Sequence, residues 1–328
     1  MARWMTRAGQ ESEAVKRLLL GITDTAVRDI LARCLDGSIS PSVALMQMLI
    51  ETEDEVIVRA AVDDVTRRAA ALSRSGDNLL RDRVDDLTQL VVENEQGCRR
   101  IAEMLRPNMD SPDPAPSVEE GIAFCERLFD WSVQQSEEAS VALYSLGNPE
   151  LLERATREIV VQLERWGVLS RDRTVLDIGC GIGRLEVELA SRVAAVHGID
   201  VSMQMINAAL RRCAPLSNVH LLKVTGRDLA DYTDSSFDAV IAVDTFPYIN
   251  QSGAALVERY FAEAQRVLKP GGDFVILNFS YGEDESADES TVRKLAGRHS
   301  FKTIAAGERP FSLWDGVAFH LRKKSAER

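Results

Sequence analysis

Apolar residues along the chain fall into two regimes. Up to about residue 106 they recur every three or four positions, as on one face of a helix. From Thr174 onward they form short β-rich runs separated by helical stretches, the pattern of a parallel sheet with crossover helices.

The first regime reads as helix throughout. Ser40-Pro41 is an N-cap and first-turn pair for a helix running to about Glu51. Thr52-Glu53-Asp54-Glu55 has the capping-box form, with Thr52 as the cap. The helix it opens carries Val58, Val62, Val65, Ala69 and Leu72, and Ser75-Gly76-Asp77 breaks it. A second helix follows with Leu80, Val84, Leu87, Val91, Asn94, Cys98, Ile101 and Leu105. Spacings alternating between 4 and 3 give a heptad seam, so a long antiparallel helical hairpin is expected. Asn94 falls on that seam as a register-setting polar residue, with a binding role as the alternative. The same seam could instead join two subunits into a homo-oligomer.

Pro107 to Ser117, rich in proline and small polar residues, reads as a linker. Ser117 to Glu120 is a further capping box and opens a helix with Phe124, Leu128 and Trp131. Asn148-Pro149 caps the next helix, which runs to about Trp166. Seven strands are then predicted: Thr174–Ile178, Ala194–Ile199, Val219–Lys223, Ala239–Val243, Asp273–Asn278, Phe301–Ile304 and Val317–Leu321.

Composition narrows the function. A length of 328 residues gives about two domains at roughly 150 each. With 39 Lys+Arg against 51 Asp+Glu the net charge is −12, which opposes the basic footprint of nucleic-acid binding. No apolar run approaches the ~20 residues of a membrane span. The run Leu18 to Ile22 is too short for a secretory signal, so a cytoplasmic protein is expected. Five scattered cysteines without a CxxC pair read as reduced thiols, and four histidines without ligand spacing predict no metal.

Candidate chemistry starts where the first strand turns into its helix. Val175-Leu176-Asp177-Ile178-Gly179-Cys180-Gly181-Ile182-Gly183-Arg184 is a glycine loop that lets backbone approach a ligand closely. An acidic residue, Asp200, ends the second strand, where a carboxylate can accept hydrogen bonds from both ribose hydroxyls. Position 184 is Arg and the third glycine comes one residue early, which departs from the dinucleotide pattern and weakens an NAD-dependent oxidoreductase reading.

The G-x-G-x-G form, with Asp177 two residues ahead, resembles motif I of the class I S-adenosylmethionine-dependent methyltransferases. Gly226-Arg227-Asp228-Leu229, Phe237 to Ile241, and Arg266-Val267-Leu268-Lys269-Pro270-Gly271-Gly272 resemble later family segments in the same order. The resemblance covers residues 150 to 322. It implies an α/β fold with a Rossmann-like, seven-stranded, mostly parallel sheet and helices on both faces, beside the all-helical N-terminal extension. It divides the chain into 1–106, a linker 107–117 and a methyltransferase domain 118–328, with a helical lid at 118–168 and the core at 174–322. S-adenosyl-L-methionine is the implied cofactor. Asp177, Gly179, Gly181 and Gly183 would contact its methionine part, Asp200 its ribose and Asp228 its adenine. Met203 would cover the adenine face, or pack in the core.

In open α/β sheets ligands bind outside the carboxyl ends of the strands. The acceptor site is therefore expected after the fourth strand, at Asp244 and Tyr248, and after the fifth, at Asn278 and Tyr281. Asp244 and Tyr248 are the catalytic candidates, with Asp244 orienting or deprotonating a nitrogen or oxygen nucleophile. The tyrosines would stack on the acceptor or pack at its rim. Tyr144, in the lid, is a third acceptor candidate or a packing residue. Asp244 to Tyr248 loosely resembles the D-P-P-Y motif of DNA amino-methylating enzymes, but its extra residue and the acidic charge disfavour that substrate. The expected partner is a small-molecule acceptor. The rival reading is a catalytically inactive cofactor-binding module that acts through its helical N-terminal region.

Overall fold

The computed structural model describes residues 13–71, 78–106, 115, 117–282 and 284–325. The breaker Ser75-Gly76-Asp77 and nearly all of the expected linker lie outside these residues. The chain divides into two compact units. One comprises Met1–Asn108, Glu138–Ala155 and Ser312–Asp315, the other Met109–Glu137, Thr156–Phe311 and Gly316–Arg328.

The second unit is built on a seven-stranded sheet of order β3-β2-β1-β4-β5-β7-β6. Its strands are β1 (Thr174–Ile178), β2 (Ala195–Asp200), β3 (Val219–Lys223), β4 (Phe237–Val243), β5 (Leu268–Leu277), β6 (Phe301–Glu308) and β7 (Ala318–Lys323). β1 to β5 pair in parallel, whereas β7 runs antiparallel to both β5 and β6. The central strands are continuous apolar runs, as burial on both faces requires: Val175, Leu176, Ala239 to Ala242 and Phe274 to Ile276 are fully buried. β5 begins five residues before the expected Asp273. Its first half contains Pro270, which lacks a ladder donor, and the pairing with β4 shifts register between Phe237 and Ala239.

At the amino ends of the parallel strands lies a buried charge cluster. Asp273 accepts hydrogen bonds from His320 Nε2 at 2.9 Å, Arg173 at 2.8 Å and Arg322 Nε at 2.8 Å. Burial pushes this carboxyl up, but those three donors outweigh it and hold it below its ordinary value.

Connecting helices are α7 (Val118–Gln135), α9 (Pro149–Arg165), α10 (Arg184–Leu189), α11 (Met203–Cys213), α12 (Phe246–Gln251), α13 (Ala254–Val267) and α14 (Glu285–Arg298). The caps at Ser117 and Asn148 form as expected: Ser117 Oγ accepts from Glu120 N, and Asn148 Oδ1 from Glu150 N. Phe246 of α12, Phe261 of α13, Phe274 of β5 and Phe301 of β6 form an aromatic core.

In the first unit, α1 (Glu13–Leu18), α2 (Thr25–Asp36), α3 (Pro41–Thr52), α4 (Glu55–Ala71), α5 (Asn78–Glu93) and α6 (Glu95–Leu105) are helical. Ser40 caps α3 by accepting from Val43 N. The capping box at Thr52 does not form. Thr52 instead ends α3, with its hydroxyl on Met48 O, and Asp54 Oδ1 accepts from Val56 N at the start of α4.

Helix α4 runs antiparallel to the arm formed by α5 and α6, as Thr66 meeting Thr88 of α5 and Arg59 meeting Glu95 of α6 require. The second arm of the expected hairpin is nevertheless two helices rather than one. Asn94 leaves helical geometry at φ −116° and ψ 24°, and Asn148 Nδ2 donates to its Oδ1 at 2.8 Å. The helix breaks where a buried amide has found a partner from another segment.

The 138–155 and 312–315 segments join this unit through close contacts. Ser40 and Ser42 hydroxyls donate to Leu313 O, and Gln47 donates to Asp315. A Cβ on Gly97 would fall 1.8 Å from Leu146 O, so the backbones touch there. Of the expected lid, α7 stays with the sheet, whereas residues 138–155 belong to the helical unit.

Candidate active site

The glycine loop turns β1 into α10. Gly179, Gly181 and Gly183 all have positive φ, at 78°, 54° and 76°. Gly179 is needed for a second reason: its Cβ would lie 2.2 Å from Thr245 Oγ1. That hydroxyl donates to Ile178 O at 2.7 Å, which stitches the segment after β4 to the end of β1. Gly179 N and Cys180 N both donate to Ile199 O, so β2 fixes the loop from the other side. Cys180 is a small buried side chain, and burial raises its thiol well above its ordinary value.

Asp200 closes β2. Its Oδ2 accepts from Gly181 N at 3.0 Å and its Oδ1 from Ser202 N at 2.8 Å. Burial pushes this carboxyl up to about 6 in spite of those bonds. Asp177, inside β1, is pushed up to about 7 by burial. Its neighbour is Glu186 of α10, equally buried and raised further. Among the described residues, no donor reaches Asp177 Oδ1 or either Glu186 oxygen.

A roof covers the carboxyl ends of the strands. Asp130 of α7 accepts from Ser202 Oγ at 2.6 Å and from Gln204 N at 3.1 Å, which ties α7 to the start of α11. Ile122 of α7 abuts Gly226 after β3. Gly121 lies so close to Ser252 that a Cβ would sit 2.5 Å from its Oγ. Phe129 meets Tyr248 edge-on at 4.9 Å.

Under that roof the residues after β4 and β5 converge. Asp244 and Asn278 are non-glycine residues with φ of 57° and 64°, and they stand at the ends of adjacent strands. Backbone strain of this kind concentrates at functional positions. Asn278 Nδ2 donates to Asp244 Oδ1 at 2.7 Å, and Asn278 Oδ1 accepts from Val317 N at 2.8 Å. Tyr281 Oη donates to the same Asp244 oxygen at 3.3 Å. Tyr248 and Tyr281 meet edge-on at 5.9 Å. Burial and the Asp244 charge raise the Tyr248 phenol well above its ordinary value, so it stays protonated.

Asp177, Gly179, Gly181, Gly183, Asp200, Asp244, Tyr248, Asn278 and Tyr281 thus share one end of the sheet unit. Met203 opens α11 and is 46% exposed, so it is not a core residue. Asp228 is partly exposed after β3, and its Oδ1 accepts from Ala230 N at 3.1 Å. Tyr144 belongs to the helical unit, where it is buried and its ring stacks on Trp314 at 5.7 Å. The sequence reading missed Glu186, whose signal was an acid within the apolar face of a short helix. It also missed Asp130 and Phe129, which only the packing of α7 brings here. Among the described residues, no three His, Cys, Asp or Glu side chains gather as a metal site, and no helix is long and apolar enough to cross a membrane.

Residues 175–272 match the family model of a methyltransferase domain. The chain is 39% identical over 107 residues to a demethylmenaquinone methyltransferase of Tropheryma whipplei, covering 33% of this chain and 42% of that protein. It is 31% identical over 129 residues to phosphoethanolamine N-methyltransferase 2 of Caenorhabditis elegans, covering 39% of this chain and 28% of that one. In fold it is similar to Haemonchus contortus phosphoethanolamine N-methyltransferase 1, solved with phosphoethanolamine and S-adenosylhomocysteine. The TM-score is 0.51 at 17% identity, over 64% of this chain and 50% of that one. The chain spans less than half the length of the two curated relatives. Its residues 175–272 carry a methyltransferase domain, with S-adenosylmethionine as the cofactor.

The residues present fit that cofactor. Asp200 offers a carboxylate to a diol, and Asp177 keeps a buried oxygen that no donor among the described residues satisfies.

Proposed function

We propose that this protein transfers a methyl group by direct displacement to a small-molecule acceptor, through nitrogen or oxygen rather than carbon. The observation that carries this reading is Asp244: a partly buried carboxylate in a strained conformation, oriented by Asn278 and Tyr281 beside the glycine loop. The name of the phosphoethanolamine N-methyltransferase relative supports nitrogen.

When bound, S-adenosylmethionine supplies a methyl group on a positively charged sulfur. In this reading Asp200 holds the ribose, and Asp177 with the glycine loop holds the methionine part. Asp228 meets the adenine, with Met203 over its face. Asp244 accepts a hydrogen bond or proton from the attacking amine or hydroxyl, and Asn278 keeps its carboxylate aimed. Tyr248 and Tyr281 enclose the acceptor with Phe129, and α7 excludes water. Positioning of this kind can supply up to ~7–11 kcal/mol of barrier lowering. Residues 1–106 take no part in binding the cofactor.

Asp244→Asn preserves shape and tolerates the left-handed backbone, but removes the charge. Its turnover on acceptors drawn from a panel of small amines and alcohols should fall by about 10²–10⁴-fold, with S-adenosylhomocysteine affinity unchanged. Turnover near that of the unmodified protein would overturn the assignment of Asp244 and leave positioning alone.

A further inference from the structure

We propose that Asp177 and Glu186 share a proton behind the glycine loop and give it up when the cationic end of the methyl donor binds. Donor binding is then linked to pH, and Glu186 acts as a positioning residue for Asp177. The proposal rests on the cofactor reading above.

The geometry is that of a paired acid. Asp177 sits in β1, Glu186 in the first turn of α10, and both are withdrawn from solvent. Glu186 Oε1 stands over Gly198, the residue of β2 that pairs with Asp177 in the sheet register, so the two carboxyls are neighbours. Asp177 Oδ1 and both Glu186 oxygens find no donor among the described residues. Two carboxylates cannot bond without a proton between them, and like charges this close do not both ionise. Space has been made for the pair on β2, since a Cβ at Gly198 would stand 2.6 Å from Glu186 Oε1.

The surroundings keep the proton in place. Facing the pair are Asp200 from β2, Cys180 from the loop, Cys213 from α11 and one cation, Arg184 of α10. Arg184 is itself buried and bonds Thr156 Oγ1 of α9 at 3.3 Å. One guanidinium favours ionisation, while burial and the neighbouring acid oppose it. A second cation, the ammonium of the donor's methionine part, would tip the balance. The proton leaves to solvent, no covalent bond changes, and Asp177 meets the ammonium as a full carboxylate. Arg184, which spoils the dinucleotide pattern, thereby gains a role in tuning this pair.

The test is calorimetry of S-adenosylhomocysteine binding to the full chain, run in phosphate and in Tris between pH 6 and 8. Because the two buffers differ in ionisation heat, the difference reports protons released. On the order of half to one proton should be released per ligand near pH 7, falling close to zero in Glu186→Gln. The Gln amide can donate to Asp177 but has no proton to give up. Equal heats in the two buffers, or undiminished release from Glu186→Gln, would overturn the proposal, the latter making Asp200 the source. Should Glu186→Gln not fold, infrared spectroscopy of the unmodified protein decides: a protonated-carboxyl band lost on binding supports the pair, and its absence before binding refutes it. Failure to bind at all would overturn the cofactor reading together with this proposal, whereas binding without release overturns this proposal alone.

Discussion

The two units are held together in different ways. In the sheet unit the glycine loop, Asp200, Asp244 and Asn278 sit at or just past strand ends, and their neighbours come from adjacent turns of the same topology. Thr245 reaches Ile178, Asn278 reaches Asp244, and Gly181 reaches Asp200. In the helical unit the joints are made by distant pieces of chain. Leu313 O receives hydroxyls from Ser40 and Ser42, and Asn94 receives Asn148. A parallel sheet generates its site from its own connectivity, whereas a helical assembly of this size draws on whatever segment can fill its gaps.

The largest effect expected on that contrast comes from Trp314. It lies more than 200 residues beyond the first helices, yet it is buried in their unit against Tyr144. Trp314→Ala should destabilise the helical unit by about 3–5 kcal/mol. Hydrogen exchange should then rise at Leu45 to Leu49 of α3, while S-adenosylhomocysteine affinity stays within about twofold. Loss of binding together with the exchange protection would break the separation of the two units.

Asp200→Ala sharpens the other side of the comparison. It should weaken S-adenosylhomocysteine by about 1.5–3 kcal/mol in calorimetry, because a charged acceptor is removed from hydroxyl donors. Since Asp200 also holds Gly181 N and Ser202 N, the melting temperature should drop as well, by the equivalent of about 1–3 kcal/mol. Unchanged melting would mean that those two donors find water.

The smallest of these effects is Asn94→Ala. It removes the acceptor of Asn148 and should cost about 1 kcal/mol in urea unfolding, without altering ligand binding.

The central strands β1, β4 and β5 were legible because buried parallel strands advertise themselves as uninterrupted apolar runs. The turn at the glycine loop and the strand-end position of Asp200 were legible because a left-handed backbone demands glycine and the apolar run of the second strand stops at an acid. Asn94 was legible as a polar exception in its seam, but its partner was not, since nothing local marks position 148 as near it. The composite nature of the helical unit was hidden for a further reason. Its joints run through main-chain carbonyls such as Leu313 O and Leu146 O, which every residue presents. Glu186 escaped because a single acid in a short helix looks like surface until the opposing strand shows a glycine there.

The Asp273 cluster gives the sheet a polarity in acid. At the carboxyl ends, Asp177 and Asp200 bind protons more readily when folded than when unfolded, so their contribution to stability grows as pH falls from about 7 toward 4. At the amino ends the sign reverses. Asp273 has a depressed value, so its contribution is complete above the ordinary carboxylate range and is lost as pH drops through that value. Mild acid therefore tightens the ligand end, and stronger acid opens the far end first. In exchange measurements stepped from pH 7 to 3, protection should fail earliest around Arg173 and Arg322, and Asp273→Asn should erase that order. The molecule would come apart from its foundation while its binding face was still closed.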